Sequence, residues 1–80
     1  MRLDKYLKVS RIIKRRTVAN EACDAGRVEV NNKPAKASLE VKPGDEISIR
    51  FGDKITKLEV LVVKETVRKE EAQSMYRVRE

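Results

Sequence analysis

Residues 2–30 read RLDKYLKVSRIIKRRTVANEACDAGRVEV, and the change of rhythm inside this stretch decides the fold. Leu3, Tyr6 and Leu7 fall at i, i+3 and i+4, so residues 2–8 read as a short helix. Val9, Ile12 and Ile13 drop out of that phase, which predicts a break near Ser10 and a further turn to about residue 14. A second helix follows from about Arg16 to Ala25, with Val18, Ala19, Ala22 and Cys23 on its apolar face. Gly26 stands where a left-handed C-terminal cap belongs. Beyond it the period falls from 3.6 to 2: Arg27-Val28-Glu29-Val30 alternates as a strand does.

The same reading extends to the rest of the chain. Asn31-Asn32 suits the positive backbone angles of a tight hairpin, and Lys33-Pro34-Ala35-Lys36 returns from it. Pro34 keeps that return short or at an edge, because proline has no N–H to give a sheet. Pro43-Gly44-Asp45 is a turn. Glu46–Phe51 alternates with Ile47, Ile49 and Phe51 inward, Gly52-Asp53 turns the chain, and Leu58, Val60 and Val62 alternate through a last strand. In the polar tail, 70–76 suits a helical turn, and Met75, Tyr76 and Val78 are apolar enough to dock back on the sheet. The expected architecture is α+β, two short N-terminal helices followed by a small antiparallel sheet, with a domain over 1–63 and a tail over 64–80 packing on or beside the sheet.

Eighty residues allow one small core, which rules out a separate substrate domain. Nothing resembles a run of 18 apolar residues, and the basic N-terminus lacks the apolar stretch of a secretory signal. A single cysteine, Cys23, forms no internal disulfide and reads as a buried small hydrophobe. These features point to the cytoplasm and away from a membrane. Histidine is absent, which removes the commonest general base and metal ligand, so neither a metal site nor a cofactor is expected. The carboxylates Asp4, Asp24, Asp45 and Asp53 sit in contexts that read as caps, turns or solvated faces, so no enzyme is expected.

Charge is the informative property. The net charge is +6, and residues 1–20 alone carry +6, while the next three blocks of twenty carry −1, 0 and +1. A localised cationic block attracts a polyanion, because neutralising phosphates releases condensed counterions. Lys14, Arg15 and Arg16 crowd the start of the second helix, where stability alone would favour acids, at a cost of a few tenths of a kcal/mol each, roughly. A conflict between local stability and sequence marks a functional site. The candidate nucleic-acid contacts are Arg2, Lys5, Lys8, Arg11, Lys14, Arg15 and Arg16, with Arg27 extending the patch. Asp4 reads as structural, pairing with Lys8 or orienting a nearby arginine. Tyr6 is the one aromatic residue in the first fifty, so stacking on unpaired bases is not the main mode. A reader of backbone and shape in folded nucleic acid fits better.

RLDKYL at 2–7, KRRTVA at 14–19, GRVEVN at 26–31 and VKPGD at 41–45 stand in an order and spacing similar to the S4-type RNA-binding domain. The likeness covers about residues 2–50 and implies the S4-like (αL) fold. Its beginning at residue 2 resembles the stand-alone members of the family. RLDK from Arg2 and the K-x-R of Lys14–Arg16 are shared with fifteen-kilodalton heat-shock proteins, and KEEAQSMY at 69–76 resembles a ribosome-quality-control branch. That resemblance implies binding to the free large (50S) ribosomal subunit carrying peptidyl-tRNA, with contacts to rRNA helix 69 and to the tRNA. It further implies support of an alanine-tailing quality-control factor that extends stalled chains. The protein is expected to act as a monomer without catalysis of its own.

Two positions depart from the family pattern. Arg15 stands where Ser or Thr caps the second helix, and Asn31-Asn32 replaces Asn-Gly in the hairpin. Neither removes a cation. The alternatives are a heat-shock-type factor that recycles stalled large subunits, and a protein-interaction adaptor without RNA contact.

Overall fold

The computed structural model describes residues 1–79. Helix α1 spans Leu3–Val9 and buries Leu3, Asp4, Tyr6 and Leu7. Its first N–H groups are not left to water: Leu3 N–H donates to Leu39 C=O (2.8 Å) and Asp4 N–H to Ala37 C=O (3.1 Å). The helix stops because Arg11 takes a left-handed φ of 63°. After the break near Ser10 the chain runs on to residue 14 through a turn and bends rather than helix. The reversal at Arg11 drops Ile13 into the core, where its N–H reaches Leu7 C=O (3.0 Å).

Helix α2 spans Arg16–Asp24 and ends one residue earlier than the spacing predicts. Gly26 has φ 74°, its N–H donates to Cys23 C=O, and Arg27 N–H donates to Ala22 C=O. This pair of bonds is a Schellman closure, and it needs the positive φ that glycine supplies freely. Ala19, Ala22 and Cys23 are buried, but Val18 is exposed, contrary to expectation. Position 18 lies 100° from Ala19 around the helix, on the flank of a narrow small-residue face.

Five strands form one antiparallel sheet: β1 Val28–Val30, β2 Lys33–Pro34, β3 Glu46–Phe51, β4 Lys54–Val60 and β5 Tyr76–Arg79, in the order β2-β1-β3-β4-β5. Asn31 and Asn32 both have positive φ, 54° and 68°, as a two-residue hairpin requires. Asn31 is also anchored, donating to Asp45 Oδ1 (3.2 Å) and accepting from Glu46 N–H (3.1 Å). Those bonds offset the cost of a non-glycine turn. Pro34 lies in edge strand β2, as its missing N–H demands.

Val28, Val30, Ile47, Ile49, Leu58 and Val60 form the sheet side of the core beneath α1 and α2. Phe51 shares the face of Ile47 and Ile49 but lies past the end of the core, half-exposed, where burial was expected. Strand β4 ends at Val60, so Val62 is not part of it. There the chain leaves the sheet, and the N–H groups of Leu61 and Val62 both donate to Met75 C=O. A 3₁₀ helix, Lys69–Met75, buries Ala72 and Met75. Tyr76–Arg79 then joins the edge of β4 as a fifth strand, and Val78 stays exposed.

Candidate nucleic-acid interface

Helix α1 projects Lys5 and Lys8 from the side opposite its buried residues. The reversal at Arg11 then carries Arg11 and Lys14 around to the start of α2, where Arg16 emerges. Lys5, Lys8, Arg11, Lys14 and Arg16 converge on one groove of about 780 Å³, whose other wall is Glu65, Thr66, Val67 and Lys69. Cations as far apart in sequence as Lys5 and Arg16 thus line one groove together. Among the described residues no side chain caps α2, whose N-cap is Arg15 in extended conformation. The positive end of that helix dipole is reinforced by arginine rather than offset by an acid.

Arg2 and Arg16 are joined from beneath. The Asp4 carboxylate is buried and accepts from Arg2 Nε (3.2 Å), Arg16 Nη2 (3.4 Å), Asn20 Nδ2 (3.4 Å) and the backbone N–H of Lys5 (2.8 Å). Burial alone pushes this carboxyl upward, but the hydrogen bonds from Arg16, Asn20, Arg2 and Lys5 outweigh it and hold it below the usual carboxylate range. Asp4 therefore orients arginines; its ion pairs are with Arg2 and Arg16 and not with Lys8. Arg2 and Arg16 line a shallow depression with Thr17, Asn20 and Glu21 that adjoins the groove through Arg16.

Two expected residues lie elsewhere. Arg15 lines neither depression. Arg27 lies beyond the C-terminal end of α2, and the eight steps from Arg16 to Asp24 alone span about 12 Å at 1.5 Å per residue. Three residues of the site carried no local signal: Lys69 and Glu65 come from the tail, and Asn20 looks like any polar helix residue. Glu65 forms an ion pair with Lys5 at the rim, and hydrogen bonding and charge from Lys5 hold its carboxyl below the ordinary range.

Cys23 is buried, and burial, with Asp4 and Asp24 nearby, pushes its thiol up to about 11. Such a thiol is a poor nucleophile at neutral pH. Among the described residues no group of three or more His, Cys, Asp or Glu is placed to hold a metal ion, and no helix is long and apolar enough to cross a membrane.

A cationic groove built on two short helices and backed by a small antiparallel sheet makes this an α+β module whose surface suits a polyanion such as a nucleic acid. The S4 domain profile matches residues 1–47, and the chain belongs to the S4 domain family. It is 61% identical over 79 residues to the RQC P-site tRNA stabilizing factor of Halalkalibacterium halodurans, covering 99% of this chain and 90% of that one. The protein of the same name from Bacillus subtilis is 56% identical over 78 residues, covering 98% and 91%. Among solved structures, the trimeric Heat Shock Protein 15 of Vibrio cholerae superposes with a TM-score of 0.91 at 32% identity, over 99% of this chain and 81% of that one. The fold and the quality-control relationship read from the sequence motifs therefore hold.

Proposed function

We propose that this protein binds the free large ribosomal subunit still carrying peptidyl-tRNA. In this reading it steadies the tRNA while a partner factor adds alanine to the stalled chain. The groove formed by Lys5, Lys8, Arg11, Lys14 and Arg16 carries the reading, because its cations match the phosphates of folded RNA. The names borne by the relatives support the tRNA part of it. In this reading the groove lies against rRNA helix 69 and the adjoining tRNA backbone, Arg15 and Arg27 add peripheral phosphate contacts, and the protein works as a cytoplasmic monomer without catalysing a reaction.

The test is co-sedimentation with large subunits across a salt series. About four to six phosphate contacts give a log–log slope near −3 to −5. Arg16→Ala is expected to weaken association by about 1–3 kcal/mol, as the loss of a charge-assisted hydrogen bond does. A slope near zero would instead favour an adaptor held by apolar contacts. The likeness to Heat Shock Protein 15 supports a second reading, recycling of stalled large subunits without tailing. Alanine tails that persist on stalled chains after deletion of the protein would favour that one.

A further inference from the structure

The Arg2–Asp4–Arg16 cluster is built differently from the groove it adjoins. Elsewhere in the groove, among the described residues, no carboxylate gathers two cations: Glu65 holds Lys5 alone. Here two guanidiniums converge on one carboxylate: Arg2 approaches with Nε (3.2 Å) and Nη2 (3.4 Å), and Arg16 with Nη2 (3.4 Å) and Nε (3.3 Å). The Asp4 side chain is 3% exposed, while those of Arg2 and Arg16 are 49% and 47% exposed. The carboxylate is thus the floor and the guanidiniums are the surface. Each arginine turns its Nε/Nη2 edge down to Asp4, and among the described residues neither Nη1 has a partner.

Two like charges gathered by one opposite charge leave a net +1 at a fixed place. A phosphodiester carries one negative charge and two free oxygens, which suits one donor from each guanidinium. We propose that Arg2 and Arg16 form a single clamp for one RNA backbone phosphate, and that Asp4 is the positioning residue that assembles it. The proposal rests on the RNA-binding reading above and specifies how one of its contacts is made.

The clamp predicts the opposite sign from simple electrostatics. Asp4→Asn removes a negative charge beside the phosphate and keeps the side chain's size. Summed charge predicts tighter binding; a clamp that has lost its floor predicts binding weakened by about tenfold, the scale of one charge-assisted hydrogen bond.

The experiment is a double-mutant cycle of Arg2→Gln, Arg16→Gln and the pair, with Asp4→Asn beside it. Binding is measured on large subunits carrying peptidyl-tRNA and, in parallel, on a plain RNA hairpin, with folding checked by circular dichroism. The expected result is coupling: once one arginine is gone, removing the second costs far less than it does alone. The double variant then lowers the salt slope by about one phosphate contact rather than two. Losses that multiply independently overturn the clamp, as does a folded Asp4→Asn that binds as tightly as the parent or more tightly. If Asp4→Asn does not fold, the arginine cycle decides alone. Failure of the parent on subunits with retained coupling on the hairpin sinks the ribosomal reading and leaves the clamp standing.

Discussion

The Tyr6 hydroxyl donates to the backbone carbonyl of Met75 at 2.8 Å, and both residues are buried. This bond ties the first helix to the segment just before the last strand. The same carbonyl accepts the N–H groups of Leu61 and Val62, so three parts of the chain meet at one oxygen. Tyr6→Phe keeps the ring and removes the bond. The expected loss is about 1 kcal/mol, or a fall in Tm of about 4–8 °C for a domain of this size. Hydrogen exchange at Tyr76–Arg79 is expected to quicken, because the tail loses its tie to α1. Burial, with Tyr76 nearby, holds the Tyr6 phenol well above its ordinary value. A raised value in the folded chain means that this stability is intact below about pH 10 and is lost as the pH climbs beyond it. Tyr6→Phe is expected to be less sensitive to alkali than the parent.

Arg11 sits at the position after the α1 C-cap, where glycine is the usual occupant, with φ 63°. A left-handed arginine costs about 1–2 kcal/mol, less the entropy that glycine forfeits on folding. Arg11 nevertheless lines the groove. Arg11→Gly is therefore expected to stabilise the fold by a few tenths to about 1 kcal/mol while weakening RNA binding. Thermal melts and co-sedimentation check the two signs separately. A variant that is both less stable and unchanged in binding would show that Arg11 serves the turn rather than the groove.

The helices, the Gly26 cap and the hairpin at Asn31-Asn32 were legible because each is set by neighbours within four residues. Leu3, Tyr6 and Leu7 repeat at helical spacing, and Gly26 and the two asparagines take the backbone angles their chemistry favours. Phe51 and Val62 were misplaced because alternation says which face a residue is on, not where the core ends. Strand β5 was missed because its pairing to β4 joins residues some twenty positions apart, and a run such as Tyr76–Arg79 carries too few apolar side chains to announce a strand. The cationic quarter of the sequence located one wall of the groove. The other wall, Glu65 and Lys69, is brought there by the tail's path, and no local pattern encodes that path.

Asp4 gives the fold an acid-sensitive point. Its carboxyl lies below the ordinary value in the folded chain, so its contribution is complete above about pH 4 and fades as pH falls through the lower folded value. Stability measured by denaturant titration is expected to decline below about pH 4 in the parent. Arg16→Gln removes one of the bonds that depress the value, and its acid decline is expected to be shallower. Parallel curves for the two proteins would show that other carboxylates set the acid limit.

Lys54 opens β4 beside the Gly52-Asp53 turn and lines neither the groove nor the Arg2–Arg16 depression. Lys54→Ala removes the same formal charge as Lys14→Ala. Equal effects on large-subunit binding would mean that net charge alone drives association. The expected outcome is a clear loss for Lys14→Ala and a change within about 0.5 kcal/mol for Lys54→Ala, the usual scale of a neutral surface substitution.

Among the described residues Glu65 is the one acid on the groove wall, and it holds Lys5 in an ion pair. An incoming phosphate competes for the same ammonium and is repelled by the same carboxylate. The pair is exposed, so it adds little to the fold and is screened by salt. Glu65→Gln frees Lys5 without changing the size of the side chain. The expected result is RNA binding tightened by about two- to fivefold at low salt, with the difference closing as salt rises. Glu59→Gln is the matched control, since Glu59 pairs with Arg79 on the sheet, away from the groove. If Glu65→Gln weakens binding while Glu59→Gln is neutral, Glu65 holds Lys5 in its binding pose instead of competing for it, and the tail segment belongs to the interface as a positioning element.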